Sequence, residues 1–180
     1  MKTLGIDPGT VNCGYCVIQD GFFLSCGVAH FDKKQPLEEE IHRFAECLKS
    51  LWGPFDIVGI ERQMKAKMRV VQTHLYHEFN PVSKIIAPQS VKRYFNFSGL
   101  KCYKKRKEKG VEIMKQLCRE CKQMYIFEKV IRQRSKIDDV ADGALIAYYI
   151  YTEYTKVKKP KKKKNDISLN DWRNKHLWNV

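Results

Sequence analysis

The chain has 180 residues, of which 43% are hydrophobic, enough for one folded domain with its own core. Its 34 lysine and arginine residues outnumber 20 acids and give a formal net charge of +14, so we expect a polyanionic partner. Nucleic acid is favoured over a membrane because no apolar run approaches the roughly 20 residues that cross a bilayer. The N-terminus lacks the apolar stretch of a signal peptide, so we expect an intracellular protein.

Strand-like and helical patterns alternate through the first half of the chain. Asp20-Gly21 is a two-residue hairpin signal, and Gly53-Pro54 ends the first helical pattern. The predicted elements are, in chain order, strands Lys2–Asp7, Gly14–Gln19 and Phe22–Phe31, helix Leu37–Trp52, strand Asp56–Glu61, helix Met64–Phe79, strand Lys84–Ala87 and helix Pro88–Phe95. This order predicts an α/β fold whose mixed sheet has antiparallel first strands and then parallel ones, flanked by helices.

The second half is predicted to be mostly helical. Residues 96–103 have a loop-like composition, a helix follows from about Lys105 to Met124, and residues 125–136 show no clear pattern. The last helix, Ile137–Tyr151, carries small residues on one side, as expected where a helix packs closely on a sheet. Residues 156–164 hold seven lysines, so we divide the chain into a domain, 1–155, and a lysine-rich tail, 156–180, that acts as an electrostatic tether or an import signal.

Seven cysteines, an odd number without a secretion signal, indicate reduced thiols of the cytosol or nucleus. Cys13 and Cys16 would point to opposite faces of an extended segment. Cys118 and Cys121 share a helix face, but no second pair completes a tetrahedral zinc site. We therefore interpret these cysteines as small buried apolar residues.

Two acids stand where a predicted strand ends. Asp7 follows an apolar segment and precedes Pro8-Gly9, and Glu61 closes a buried strand. Each has a simpler interpretation, a turn for Asp7 and an ion pair with Arg62 for Glu61. An unpaired carboxylate is costly to bury, however, so the repeated placement favours a functional site.

Two further acids, Asp139 and Asp142, lie three residues apart on the last predicted helix and share one face. Such a pair repels itself unless a cation lies between its members. Asp138 is rotated away, although it could replace Asp139 as the ligand. Carboxylates without histidine clusters suit Mg²⁺ or Mn²⁺, and two such ions about 3.5–4 Å apart would activate a water and stabilise the leaving 3′ oxygen of a phosphodiester. The chain therefore has the pattern of a nuclease.

Three motifs around these acids, GIDPGTVNCGYCVI, VGIERQ and DDVADGALIA, resemble those of RuvC-type Holliday-junction resolvases. The resemblance covers about residues 1–155, and the insert-like stretch and lysine tail are most similar to viral, poxvirus-type members. Gly143 stands where the bacterial motif has Ala, and residues 125–135 have no counterpart. The resemblance assigns the family's catalytic and metal-binding acids to Asp7, Glu61, Asp139 and Asp142.

The same resemblance implies how such a protein works. It implies a ribonuclease H-like fold and a homodimer that places two symmetrical nicks in a four-way DNA junction to resolve recombination or replication intermediates. It also implies two Mg²⁺ or Mn²⁺ ions per active site, no small-molecule cofactor and no membrane partner. A viral member would work in the host cytoplasm or nucleus.

Basic residues flank the predicted acids on both sides. We expect phosphate contacts from them, because an acidic metal site needs a cationic surround to admit a polyanion. The predicted DNA-binding residues are Lys65, Lys67, Arg69, Lys101, Lys104, Lys105, Arg106 and Lys107. An ordinary solvated helix surface is the alternative.

An apolar stripe on the helix after Glu61 has two interpretations. It could pack into the core, or it could form the dimer interface that the corresponding helix builds in RuvC-like enzymes. Its members are Met64, Met68, Val71, Leu75 and Phe79. A two-fold dimer would match the two-fold axis of a junction that is cut symmetrically.

Three alternative functions remain compatible with part of the pattern. A ribonuclease H, integrase or transposase core would use the same acids on another substrate. A phosphotransferase of the actin and sugar-kinase type also has an Asp-x-Gly-Thr loop, but the chain is too short for two lobes and lacks a second phosphate loop. A noncatalytic junction-binding protein would not need all four acids.

Overall fold

The computed structural model describes residues 1–97, 99–100, 102–133 and 136–155. Its elements are β1 (Lys2–Asp7), β2 (Asn12–Gln19), β3 (Phe22–His30), α1 (Leu37–Trp52), β4 (Ile57–Glu61), α2 (Ala66–Glu78), β5 (Ser83–Ile86), α3 (Pro88–Tyr94), α4 (Tyr103–Glu120), α5 (Met124–Arg132) and α6 (Ile137–Tyr154). None of these helices is both long enough and apolar enough to cross a membrane.

The five strands form one mixed sheet in the order β3-β2-β1-β4-β5. β1 lies at its centre, antiparallel to β2 and parallel to β4, so the predicted change from antiparallel to parallel pairing is confirmed. The register pairs Ile6 with Ile60. Asp7 and Glu61, the last residues of β1 and β4, therefore lie side by side at one edge of the sheet.

The sheet separates two apolar layers. Leu4 and Ile6 of β1 pack with α1 and α2 on one face, whereas α3, α4, α5 and α6 cover the other. Alternation of side chains along β2 places Cys13 in the first layer and Cys16 in the second, and both are buried. The prediction that these two cysteines point to opposite faces is thus confirmed.

Helix α6 lies very close to the central strands because glycines face it. An added Cβ at Gly5 would overlap backbone atoms of Gly143 and Ala147, and one at Gly14 would stand 2.6 Å from the carbonyl carbon of Asp139. Gly143 in turn faces the backbone of Tyr15, 3.0 Å from where a methyl group would be. The contacts at Gly5 and Gly14 are too short for any residue except glycine, so they fix where α6 lies relative to β1 and β2.

The structure differs from the predicted elements most clearly between α4 and α6. α4 ends at Glu120, and Lys122, two residues later, takes a φ of +56°. A separate helix, α5, then begins at Met124, and the sequence pattern did not reveal it. α5 is only nine residues long, and Ile126, Phe127 and Val130 bury its apolar side. A segment this short carries too few turns for its periodicity to be recognised.

Candidate active site

The structure brings the four predicted acids to the edge of the sheet where β1 and β4 end. Asp7 and Glu61 come from these neighbouring parallel strands. Asp139 and Asp142 come from the first turns of α6, which packs on β1 and β2. Elements far apart in the sequence thus converge on one acidic site.

Gln63 connects the two strand-end acids. Its Nε2 donates hydrogen bonds to Asp7 Oδ1 at 3.3 Å and to Glu61 Oε2 at 3.2 Å. Its backbone N–H donates to Gln72 Oε1 of α2 at 2.7 Å. The sequence analysis missed Gln63, although a period of two from Glu61 would have placed it on the same side of the chain.

Lys107 of α4 connects the acids of α6. Its Nζ lies 2.6 Å from Asp142 Oδ2, 3.4 Å from Asp138 Oδ2 and 3.7 Å from Asp139 Oδ1. We predicted that Lys107 contacts phosphate, but in this structure its ammonium group is paired with three aspartates. It supplies the positive charge between Asp139 and Asp142 that their spacing demanded.

The acids have raised pKa values because the site buries more negative charge than it neutralises. Burial raises the pKa of Asp7 well above its usual range, and the charges of Glu61 and Asp142 raise it further. Burial likewise raises the pKa of Glu61, again with a contribution from Asp142. The pKa values of Asp139 and Asp142 are also raised by burial, although the charge of Lys107 opposes the shift at both. Ionised acids in this place require additional cations.

The pKa of Lys107 shows the same imbalance from the cationic side. Burial alone would lower the pKa of this ammonium group, but the charge of Asp142, its hydrogen bond and the charge of Asp138 outweigh burial and raise it. Lys107 therefore stays protonated. Lys107 brings one positive charge to the four predicted acids and Asp138, so the site keeps an excess of negative charge.

A second lysine, Lys92 of α3, stands beside this site. Together with Glu61, Phe97 and Asp142 it lines a small cavity. Its charge lowers the pKa values of Glu61 and Asp142, against the larger effect of burial. The sequence analysis missed Lys92, since a lone lysine in a short helix has no distinguishing pattern.

The donor chemistry of the site fits hard divalent cations. All four predicted ligands are carboxylates, the oxygen donors that Mg²⁺ and Mn²⁺ prefer. Among the described residues, the three ligand groups that lie within 4.8 Å of one another are His42, Glu46 and Glu78, away from this site. No three of the predicted acids, all of which the structure describes, form such a group: Gln63 bridges Asp7 and Glu61, and Lys107 lies between Asp139 and Asp142.

The other predicted DNA-binding residues lie on the surface. Lys65, Lys67 and Arg69 are exposed at the start of α2, which follows Glu61 after a short loop. Lys104 and Lys105 are exposed and Arg106 is half-buried on the first turn of α4, the helix that carries Lys107. Lys101 lies outside the described residues, as does the tail, 156–180.

The apolar stripe of α2 is divided between core and surface. Val71 and Leu75 have no exposed surface and Phe79 is 3% exposed, so this part of the stripe belongs to the core. Met64 is 83% exposed, and Val70, outside the stripe, is 45% exposed. The interpretation of Val71 and Leu75 as interface residues is therefore wrong, because their side chains already fill the layer between α2 and the sheet.

Similarity to known proteins agrees with this geometry. Residues 3–153 match the poxvirus A22 protein family. No curated protein sequence is significantly similar to the chain. The fold is similar to that of the fowlpox virus resolvase in complex with substrate Holliday junction DNA, which is 19% identical, with a TM-score of 0.60 over 85% of this chain and 97% of that one.

Two proteins of cellular organisms have the same fold, with sequence identities and TM-scores similar to those of the fowlpox virus resolvase. RuvC of Thermus thermophilus in complex with Holliday junction substrate is 16% identical, with a TM-score of 0.58 over 87% of this chain and 97% of that one. The yeast mitochondrial Holliday junction resolvase is 20% identical, with a TM-score of 0.60 over 82% of this chain and 77% of that one. The RuvC-like variant of the ribonuclease H fold, which the motifs around the acids implied, is thereby confirmed. Because the family match spans most of its sequence, the chain belongs to the poxvirus A22 protein family, as its resemblance to poxvirus-type resolvases predicted.

Proposed function

We propose that this chain is a metal-dependent endonuclease that nicks four-way DNA junctions symmetrically, a Holliday-junction resolvase. The observation that carries the proposal is the meeting of Asp7, Glu61, Asp139 and Asp142 at one edge of the sheet, in a chain whose net charge is +14. Such a site has the ligands for cations and the surround for a polyanion. A virus-encoded enzyme of this kind would work in the host cytoplasm or nucleus.

In this proposal the four acids hold Mg²⁺ or Mn²⁺, two ions per site. Bound there, the ions would supply an activated water and stabilise the leaving oxygen of the phosphodiester. The protein's own residues prepare the site. Lys107 keeps Asp139 and Asp142 together despite their mutual repulsion, and Lys92 adds positive charge beside Glu61 and Asp142.

Cleavage of different substrates tests the proposal against its main alternative. The purified protein with Mg²⁺ is offered a four-way DNA junction, a linear DNA duplex and an RNA–DNA hybrid duplex of matched length. We expect paired nicks in the junction and little cleavage of the two linear substrates. Preferred cleavage of the hybrid would instead assign a ribonuclease H activity. Junction binding without cleavage, in Mg²⁺ and also in Mn²⁺, would indicate a noncatalytic binding protein.

The proposed DNA contacts make a quantitative prediction. If Lys104, Lys105 and Arg106 each neutralise one phosphate, replacing any one of them by Gln lowers the magnitude of the salt slope of log K by about 0.9. The measurement is junction affinity in metal-free buffer over a series of salt concentrations. An unchanged slope in all three variants would remove these residues from the proposed contact surface.

Lys122→Asn is a suitable control for this series. Lys122 is exposed, and its neighbour Cys121 contacts Gly21 in the β2–β3 hairpin, at the edge of the sheet opposite Asp7. Asn tolerates the positive φ of this position. The control also loses one charge, but its salt slope should equal that of the wild type.

We propose that the lysine-rich tail, 156–180, adds nonspecific affinity for DNA to the surface that Lys104, Lys105 and Arg106 form.

We also propose that the chain is a homodimer joined through the exposed side of α2, which includes Val70, rather than through its buried stripe. Val70→Glu and Val71→Glu place the same charge at adjacent positions. Val70→Glu should keep the fold and yield a monomer, because the charge opposes an apolar contact between copies. Val71→Glu should unfold the chain, since a carboxylate without a partner would be buried in the core at a cost of several kcal/mol.

Light scattering and circular dichroism measure the two outcomes separately. The wild-type protein is measured first and is expected to be a dimer. A folded Val70→Glu variant that stays dimeric would move the interface away from this side of α2. A folded Val71→Glu variant would contradict the burial of the stripe.

A further inference from the structure

Gln63 occupies an unusual place for an uncharged polar residue. It is 8% exposed, it lies just beyond the end of β4, and its amide nitrogen contacts two carboxylates that come from different strands. Buried amides are retained where each of their hydrogens has an acceptor. Asp7 and Glu61 provide one acceptor each, so both hydrogens of this amide are used.

This arrangement restricts how the two acids can be oriented. Gln63 contacts one oxygen of each carboxylate, Oδ1 of Asp7 and Oε2 of Glu61, beside the hydrogen bond that the two acid side chains make with each other. A hydrogen bond to one oxygen fixes the rotation of the carboxylate plane and so the direction of the second oxygen. Donors behind ligating carboxylates commonly act in this way.

The position of Gln63 is itself fixed by α2. The backbone N–H of Arg62 donates to the backbone oxygen of Ile86 in the neighbouring strand at 2.8 Å. The backbone N–H of Gln63 makes no such strand pairing and donates instead to Oε1 of Gln72 at 2.7 Å. The end of β4 is thus tied to a helix side chain where strand pairing stops. Gln63 is bonded to Gln72 through its backbone N–H and to both acids through its side-chain amide.

We infer that Gln63 is a positioning residue that orients Asp7 and Glu61 as metal ligands, and that Gln72 holds Gln63 in place. This inference rests on the proposed function, in which the two acids bind Mg²⁺ or Mn²⁺. It also connects the site to α2, the helix whose exposed side is proposed to receive the second copy of the chain. Neither glutamine touches the reacting atoms in this role.

Gln63→Met tests the first part of the inference. Methionine has a similar length and fills the same space, but it donates no hydrogen bond to the acids. The dissociation constant for Mn²⁺, measured by calorimetry on the full chain without DNA, should rise by about 10–100-fold, the usual effect of losing such a donor. The Mn²⁺ concentration that half-saturates junction cleavage should rise by a similar factor, while junction affinity without metal stays unchanged.

A pair of substitutions at Gln72 tests the second part. Among the described residues the Gln72 side chain is bonded through its acceptor oxygen, so Gln72→Glu keeps the bond to the Gln63 N–H and, with its added negative charge, should bind Mn²⁺ at least as tightly as the wild type. Gln72→Met removes the acceptor and should weaken Mn²⁺ binding in the same direction as Gln63→Met. Gln72→Met leaves the charge of the site unchanged, so its difference from the wild type reports the hydrogen bond.

The outcomes separate this inference from the proposed function. If the wild type binds no Mn²⁺ and cuts no junction, both are wrong. If the wild type binds and cuts while folded Gln63→Met matches it, the acids do not depend on Gln63 and the inference alone is overturned. A lower melting temperature with unchanged Mn²⁺ affinity would also overturn it, as this would be a purely structural role. Should Gln63→Met fail to fold, a Mn²⁺ affinity of Gln72→Met equal to that of the wild type overturns the inference, and weaker binding by Gln72→Met supports it.

Discussion

Glu61→Gln and Asp7→Asn should each abolish junction cleavage while leaving junction binding nearly intact. Each substitution keeps the shape of the side chain and its oxygen acceptor for Gln63, but it removes the charge that a divalent cation requires. The loss should exceed the roughly 10–100-fold that removal of an outer-sphere partner costs, because a proposed ligand itself is removed. Cleavage in Mg²⁺ and affinity in metal-free buffer are the two measurements.

The same substitutions should stabilise the metal-free fold. The folded-state pKa of each acid lies above its ordinary value, so deprotonation costs stability as pH rises from the unfolded pKa through the folded one. At pH values above the folded-state pKa this destabilisation is fully present, and an uncharged amide removes it. We therefore expect a higher melting temperature in metal-free buffer, which would show that lost cleavage does not come from misfolding.

Glu39→Gln is a matched control, since Glu39 is an exposed acid on α1. Glu39→Gln makes the same chemical change as Glu61→Gln. It should leave cleavage unchanged and alter the free energy of unfolding by no more than about 0.5 kcal/mol. Near-normal turnover of Asp7→Asn or Glu61→Gln in Mg²⁺ would remove that acid from the proposed site. A lower melting temperature of both variants would contradict the excess of buried negative charge.

Gly14→Ala is the second substitution with a large expected effect. A methyl group at this position would overlap the backbone carbonyl of Asp139, so α6 must move away from β2. Overpacking of this kind costs about 1–3 kcal/mol. Because Asp139 and Asp142 move with the helix, cleavage should fall at temperatures where the variant is still folded. Thermal unfolding and junction cleavage measure the two effects.

Gly110→Ala separates this effect from a general sensitivity to larger residues. Gly110 is buried within α4, but an added Cβ would lie 3.7 Å from Leu145 and 3.8 Å from Asp142, at ordinary contact distances. Alanine in a helix interior is favoured over glycine by about 0.5–1 kcal/mol, so this variant should keep its activity and gain stability. Equal behaviour of the two variants would mean that the close approach at Gly14 does not position α6.

The parts of the site that the sequence predicted are those that local patterns encode. Strand ends identified Asp7 and Glu61, and helical spacing paired Asp139 with Asp142. The contacts made by Gln63 and Lys107 depend on which elements lie side by side. The spacing from Glu61 indicates the side of the chain on which Gln63 lies, but no local pattern places Asp7 next to Gln63 or α6 next to Lys107. For the same reason the stripe on α2 predicted an apolar side but not whether the sheet or a second copy covers it.

The order in which the acids occur along the chain has a consequence for biosynthesis. Proteins emerge from the ribosome from their N-terminus, and β1, β4 and α4 are complete before α6 is made. A nascent chain that stops before residue 137 lacks Asp139 and Asp142 and leaves uncovered the surface of β1 and β2 that α6 occupies. If the proposed assignment of the acids holds, an unfinished chain cannot cut DNA, and nuclease activity begins only when the last helix docks.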